Sequence, residues 1–328
     1  MADVTRKRFP GLSSTAFEHP TDRTTLAALK KAPGVDWVFR KFNEYGGDRA
    51  GRLYCLSDTV RVDRDQCPDL HRMLVECCEI LDMPVPQLYI NQQPVANAMT
   101  FGVEAPIIMV YSGLLELLDE PEWRVVLGHE LGHIKAGHVL YRQVAEFLAR
   151  LILQLGGRTF GIGKTLGVGL FYAFFHWYRQ SELTADRAAL LASQEPDAVL
   201  NTLMKLAGGS RKMYDQMNLD AFLQQGRDYE EMGKDALNQF YKMGMTLTTT
   251  HPFPAVRALQ ADEWAKGPEY AAILRGDYSK MRDDNPPPQA EAFADTPPDD
   301  ARKCPNCGAT VRYRAFVFCP NCGADLPR

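Results

Sequence analysis

Residues 119–135 constrain the fold of this chain more than any other stretch. Asp119-Glu120-Pro121-Glu122 has the form of a helix start: an acid that can cap, a glutamate three residues on as in a capping box, and a proline in the first turn. Trp123, Leu127, Leu131 and Ile134 follow at four- and three-residue spacing and predict one apolar stripe facing a core. His129 and His133 lie off that stripe. Being four apart on a helix, they project side by side, and two imidazoles one turn apart can reach a single zinc. Glu130 beside them can reach a water at that zinc, take its proton as it attacks a carbonyl, and pass the proton to the leaving amine. Gly128 and Gly132 each cost about 1 kcal/mol relative to alanine inside a helix. Close approach of other backbone, as around a buried site, would account for them.

A catalytic zinc commonly takes three protein ligands and keeps one position open. His138 does not fit the elongated H-E-x-x-H-x-x-G-x-x-H spacing, because Gly137 and His138 stand one step off the positions it requires. It reads as an ordinary residue near the end of the helix. Glu182 and Asp186 lie one turn apart in Arg179-Gln180-Ser181-Glu182-Leu183-Thr184-Ala185-Asp186, which reads as the start of a further helix. Glu182 can bind zinc while Asp186 accepts the free ring N–H of a ligand histidine. Taken alone, a solvated acid pair is the simpler reading.

H-E-L-G-H followed some fifty residues later by E-L-T-A-D resembles the HtpX-like zinc metallopeptidases, the group that includes the CAAX prenyl endopeptidases. Ala96-Asn97-Ala98-Met99 through Gly102 resembles that family's N-A-x-x-x-G strand, and Thr250-His251-Pro252 followed by Arg257 resembles its T-H-P…R segment. The resemblance runs from about residue 70 to 265, with the motifs in the family's order. It implies a gluzincin peptidase domain with a small sheet, a mainly helical body, and Glu182 as the third zinc ligand. It also implies that Asn97 lies by the substrate and that His251 steadies the transition-state oxyanion.

Cys304-Pro-Asn-Cys307-Gly and Cys319-Pro-Asn-Cys322-Gly are near copies. Each is a tight turn presenting two thiolates, and four thiolates close a tetrahedral site with no open position. A unit of this size folds on its metal rather than on a core, so a structural zinc ribbon is expected, with iron as the alternative metal. Its basic and aromatic residues, among them Arg312, Arg314, Phe316 and Phe318, favour packing and solvation over nucleic-acid contact; a protein partner is the functional reading.

With 328 residues, 45% hydrophobic and 24% charged, the chain has the composition of a globular protein, and a net charge of −4 gives no reason to expect nucleic acid or anionic lipid. Of the eight cysteines, Cys55, Cys67, Cys77 and Cys78 lack metal-binding spacing, and no apolar leader opens the sequence, which favours a reducing cytoplasm. In residues 144–178, Arg150, Arg158 and Lys164 break every apolar run short of the ~18 residues of a spanning helix. A buried helical hairpin is the first reading there and peripheral membrane contact the second. Helices are expected near Thr24, near Asp36 and over 68–81, strands over 87–90, 96–101 and 107–111, and helices again from Gly113 to about Met281.

The expected organisation is an α+β, mainly helical zinc metallopeptidase domain over 1–283, with an extended N-terminal arm over about 1–30. A Pro-rich linker over 284–301 and a zinc ribbon over 302–328 follow. The expected function is endopeptidase cleavage of unfolded or exposed polypeptide, in protein quality control, with one catalytic and one structural zinc. The alternative is a non-catalytic or latent adaptor acting through the ribbon.

Overall fold

The computed structural model of the protein describes residues 6–32, 35, 49–102, 105–154, 162–209, 211–235, 238, 253–281, 302, 303, 305, 308, 310 and 311. His251, the four ribbon cysteines, the 284–301 linker and most of the helical pattern near Asp36 lie outside the described residues. The helices are α1 (Pro20–Lys30), α2 (Arg49–Asp58), α3 (Pro68–Leu81), α4 (Ser112–Leu117), α5 (Glu120–Lys135) and α6 (His138–Gln154). They continue with α7 (Ile162–Ser193), α8 (Pro196–Gly208), α9 (Leu219–Met232), α10 (Pro254–Ala265) and α11 (Pro268–Arg275). The strands are β1 (Val60–Val62), β2 (Gln87–Asn91), β3 (Ala98–Phe101), β4 (Ile107–Tyr111), β5 (Arg302–Lys303) and β6 (Thr310–Val311).

The fold class is the expected one, α+β and mainly helical with a small sheet. The first four strands form that sheet in the order β1-β2-β4-β3, with β2 and β4 parallel and the outer pairs antiparallel. β1 carries only three residues with an arginine at its centre, too short a run for alternation to reveal it. β4 is buried at four consecutive positions, Ile107 to Val110, because the sheet is covered on both faces there.

The long helix α7 departs from the expectation in an instructive way. The sequence suggests a Gly-rich interruption over 156–169 and a fresh helix near Glu182, yet α7 runs unbroken from Ile162 to Ser193. No proline or glycine stands between Leu170 and Glu182, and Ser181, which could cap a new helix, instead donates its hydroxyl to Tyr178 O at 2.7 Å, so the helix continues. Its N-terminal half joins α6 and α1 in a second core of Leu29, Val144, Ala145, Leu148, Leu170, Phe174 and Trp177. At 144–148 and 170–178, where the side chains are described, one face of each helix packs into this core, and among the described residues no helix is long and apolar enough to cross a membrane.

The arm is extended only over its first part. Residues 6–13 lie along the body, where the Phe9 N–H donates to Ile80 O at 3.0 Å and the Met281 N–H to Gly11 O at 2.8 Å. Phe9, Leu12 and Phe17 are buried in the main core. His19 then opens α1, with Pro20 in its first turn, and α1 packs on α7.

Helix α5 does not show one apolar face to a core and another to water. Leu127 and Leu131 are buried as expected, but so are Val125, Val126, Glu130 and His133, because α3, β3, α6, α7 and α8 surround the helix. Its closest neighbour is α7. A Cβ on Gly128 would come within 2.6 Å of Ala192 Cβ, and one on Gly132 within 2.6 Å of Ala188 Cβ. The two glycines face Ala185, Ala188, Ala189 and Ala192, and small residues on both sides let the backbones approach.

Gly132→Ala should therefore destabilise the protein by about 1–3 kcal/mol, although alanine is the better helix former by about 1 kcal/mol. Adding Ala188→Gly reopens the space and should recover much of the loss. Urea unfolding of the single and double variants measures both effects.

Candidate metal centre

Three side chains converge between α5 and α7. His129 and His133 reach out from successive turns of α5, and Glu182 faces them from α7. The two Nε2 atoms stand 3.2 Å apart. His129 Nε2 is 3.3 Å from Glu182 Oε2, and His133 Nε2 is 3.4 Å from Glu182 Oε1. His133 and Glu182 are fully buried, whereas 12% of the His129 side chain reaches solvent. One ligand atom from each of the three residues falls within a 4.8 Å group.

The partners of these groups determine how the rings face. Asp186 lies 3.0 Å from His129 Nδ1, and Arg257 holds that carboxylate from the other side, donating from Nε to Oδ2 at 2.8 Å and from Nη2 to Oδ1 at 2.6 Å. Arg257 Nη1 also stands 3.3 Å from Glu182 Oε2, and Arg142 Nη2 stands 3.8 Å from Glu182 Oε1. Burial alone would raise the Asp186 carboxyl, but Arg257, together with His129, outweighs it and holds the group below the usual range. Burial would likewise lower His129, yet its contacts with Asp186 and Glu182 raise it to about 9. Burial, reinforced by Arg142, pushes His133 well below its ordinary value.

Glu130 lies beside His129 on α5 and faces β3 of the sheet. It is buried, and Thr100 of β3 donates its hydroxyl to Glu130 Oε2 at 2.6 Å. Asn97 lies just before β3, half-buried, and its carbonyl accepts the Tyr111 N–H at 3.0 Å. Of the expected site residues, His129, Glu130, His133, Glu182 and Asp186 come together, and Asn97 stands on the same sheet edge as Thr100. The placements of His251 and of Cys304, Cys307, Cys319 and Cys322 fall outside the described residues.

Several site residues escaped the sequence reading. His138 is not an ordinary residue near a helix end. Gly137, at φ +71°, closes α5 in a left-handed turn, and His138 opens α6 buried, with its Nδ1 3.0 Å from His133 Nδ1. The glycine was the available signal, since such a turn folds the chain back against the preceding helix. Thr100 and Arg142 carry no local signature; only the packing of β3 and α6 against α5 and α7 brings them in.

The donor set suits a zinc ion. Two imidazole nitrogens and a carboxylate oxygen are a usual catalytic trio, and tetrahedral bonds of about 2.0–2.1 Å require ligand atoms roughly 3.3 Å apart. The observed separations are 3.2, 3.3 and 3.4 Å. Each histidine also has a partner at Nδ1, which leaves Nε2 facing the cluster.

Several known proteins are similar to this chain. The sequence profile of Peptidase family M48 matches residues 64–265. The chain is 38% identical over 277 residues to "Plastoglobule-localized metallopeptidase 48, chloroplastic" of Arabidopsis thaliana, covering 81% of this chain and 77% of that protein. It is 29% identical over 169 residues to "Protease HtpX homolog 2" of Methanosarcina mazei, covering 45% of this chain and 58% of the relative's length. Superposed on the crystal structure of S. mikatae Ste24p, it gives a TM-score of 0.37 at 15% identity, over 78% of this chain and 68% of that one. With the profile spanning most of the body and the first relative matched over four-fifths of this sequence, the chain belongs to Peptidase family M48, a family of metal-dependent peptidases.

Proposed function

We propose that the protein is a zinc-dependent endopeptidase that cuts unfolded or exposed polypeptide, with His129, His133 and Glu182 as ligands and Glu130 as the acid–base group. The observation that carries this reading is the convergence of three ligand atoms at zinc-like spacing on the helix that also holds Glu130. A zinc ion bound there supplies Lewis acidity, which makes a water more acidic and polarises the scissile carbonyl. Glu130 takes a proton from the attacking water and returns it to the leaving amine. Thr100, donating to Oε2, keeps one oxygen of that carboxylate occupied and leaves Oε1 for the proton. Asp186 fixes His129 with its Nδ1 protonated, and Arg257 keeps Asp186 ionised.

The sheet supports a preference for unfolded chain. β3 is an edge strand, paired on one side with β4, and its Thr100 touches Glu130. An extended peptide added to that edge would run past the acid–base group, and only a segment without structure of its own can add as a strand. Asn97, at the start of the same edge, is assigned to substrate binding, and His251 to the developing oxyanion by family resemblance. A role in protein quality control fits such a substrate.

The remaining assignments rest on lighter support. A second, structural zinc on Cys304, Cys307, Cys319 and Cys322 is consistent with β5 and β6, which pair on either side of the first cysteine knuckle. The ribbon would then offer a surface to a protein partner. Buried free thiols at Cys55, Cys77 and Cys78 suit a reducing compartment, cytoplasmic in this reading. The named chloroplast relative makes a plastid an equal candidate.

Cleavage of casein by the zinc-loaded protein tests the proposal. Glu130→Gln should bind zinc as the native protein does but lose at least about 100-fold in kcat. Equal activity in the two proteins would remove Glu130 from its role. Dialysis against a chelator should abolish cleavage and added zinc should restore it. Activity that survives complete zinc removal would sink the metallopeptidase reading.

A further inference from the structure

A buried line of side chains leads from the metal centre into the N-terminal arm. His133 Nδ1 stands 3.0 Å from His138 Nδ1, and His138 Nε2 stands 3.0 Å from Asp22 Oδ2 on α1. None of the three is more than 1% exposed. Two ring nitrogens at that distance need one proton between them, and a carboxylate can only accept. Asp22 therefore draws the proton of His138 onto Nε2, which leaves His138 Nδ1 as an acceptor. That acceptor holds a proton on His133 Nδ1 and leaves His133 Nε2 bare, facing His129 Nε2 and Glu182.

Asp22 is itself aimed. Trp177 Nε1–H donates to Oδ1 at 2.9 Å, and the Thr184 hydroxyl donates to Oδ2 at 2.5 Å. The Trp177 ring also meets His138 edge-on, with centroids 5.6 Å apart. Asp22 lies outside residues 64–265, the stretch that matches the family profile. The arm is anchored without it, through Phe9 on Ile80 and Gly11 on Met281. A buried aspartate is thus not needed to fasten the arm, and its contacts run toward the metal centre.

Resting on the metal-centre reading above, we propose that Asp22 and His138 are positioning residues for His133, holding it in the tautomer that presents Nε2 to the metal, so that the N-terminal arm completes the centre. An amide at position 22 makes the consequence sharp. Trp177 Nε1–H can only donate, so the amide oxygen must face it, and the amide NH2 then faces His138. That arrangement forces the proton of His138 onto Nδ1, which turns His133 Nδ1 into an acceptor and its Nε2 into N–H, unable to bind metal.

The test is zinc affinity of the full-length protein, measured by competition with a chelating indicator. The proteins compared are the native chain, Asp22→Asn, His138→Phe and the double variant, with thermal unfolding of the metal-free forms followed alongside. His133→Ala shows how much of the bound zinc belongs to this centre. Asp22→Asn should weaken that zinc by about 10–100-fold, and the double variant should be no weaker than His138→Phe alone. Should His138→Phe fail to fold, Asp22→Ala takes its place. It frees His138 to choose its tautomer and should bind zinc more tightly than Asp22→Asn, the reverse of what packing alone dictates. Asp22→Asn affinity within about twofold of native, or losses that add in the double variant, overturns the proposal. Zinc binding unchanged in His133→Ala would instead bring down the metal-centre reading and the proposal with it.

Discussion

The close contact of α5 with α7 is the constraint on which the rest of the structure depends. Gly128 and Gly132 meet a face of α7 made of alanines, and there is no room for a methyl group between them. At that separation a short glutamate side chain on α7 reaches two histidines on α5. A wider spacing, set by ordinary leucine-sized contacts, would leave Glu182 short of the Nε2 atoms by an ångström or more, roughly the difference that larger contact residues make to interaxial distance. The helical glycines, unfavourable for the isolated helix, are thus where local propensity yields to the geometry of the site.

Bringing those helices together buries an unusual density of charge. Glu130, Glu182, Asp186 and Asp22 are all at most 4% exposed, and so is Arg142, with Arg257 nearly as deep. Isolated, any of these groups would be costly to desolvate; in place, Glu130 accepts from Thr100, and Glu182, Asp186 and Asp22 each have a basic side chain within ion-pair reach. The same pairing orients them. Asp186 is clamped by Arg257, Glu182 lies between two guanidinium groups, and His129 and His133 are each held at Nδ1. The electrostatics that make burial tolerable also leave the three ligand atoms facing one point.

The N-terminal arm and the segment after α11 meet at Gly11 and Met281. Residues 6–13 lie against α3 and the segment after α11, while α1 lies on α7 and contributes to the second core. The arm is therefore part of the peptidase body, and the helical hairpin of α6 and α7 packs on it rather than standing apart. Leu148, Phe174 and Trp177, among the most apolar residues of the 144–178 stretch, are buried in this way.

Much of the chemistry was legible in the residues themselves. The start of α5, the facing of His129 and His133, and the pairing of Glu182 with Asp186 follow from helical spacing and capping alone, because these are contacts within one turn of one helix. Helix α3 and three of the four strands in the main sheet were likewise readable from local periodicity. What sequence could not decide is which distant segments meet. That Thr100 would bond Glu130, that Arg257 would clamp Asp186 and that Asp22 would stand behind His138 depend on residues 30 to more than 100 positions apart. Such contacts are set by how close two helices can pack, and that closeness is decided by the small residues on both faces together. The sequence by itself marked His129, Glu130 and His133 as candidates, and with the family resemblance Glu182 as well; the tertiary structure decided their orientation, because a ring's tautomer and a carboxylate's charge are imposed by neighbours that only folding supplies.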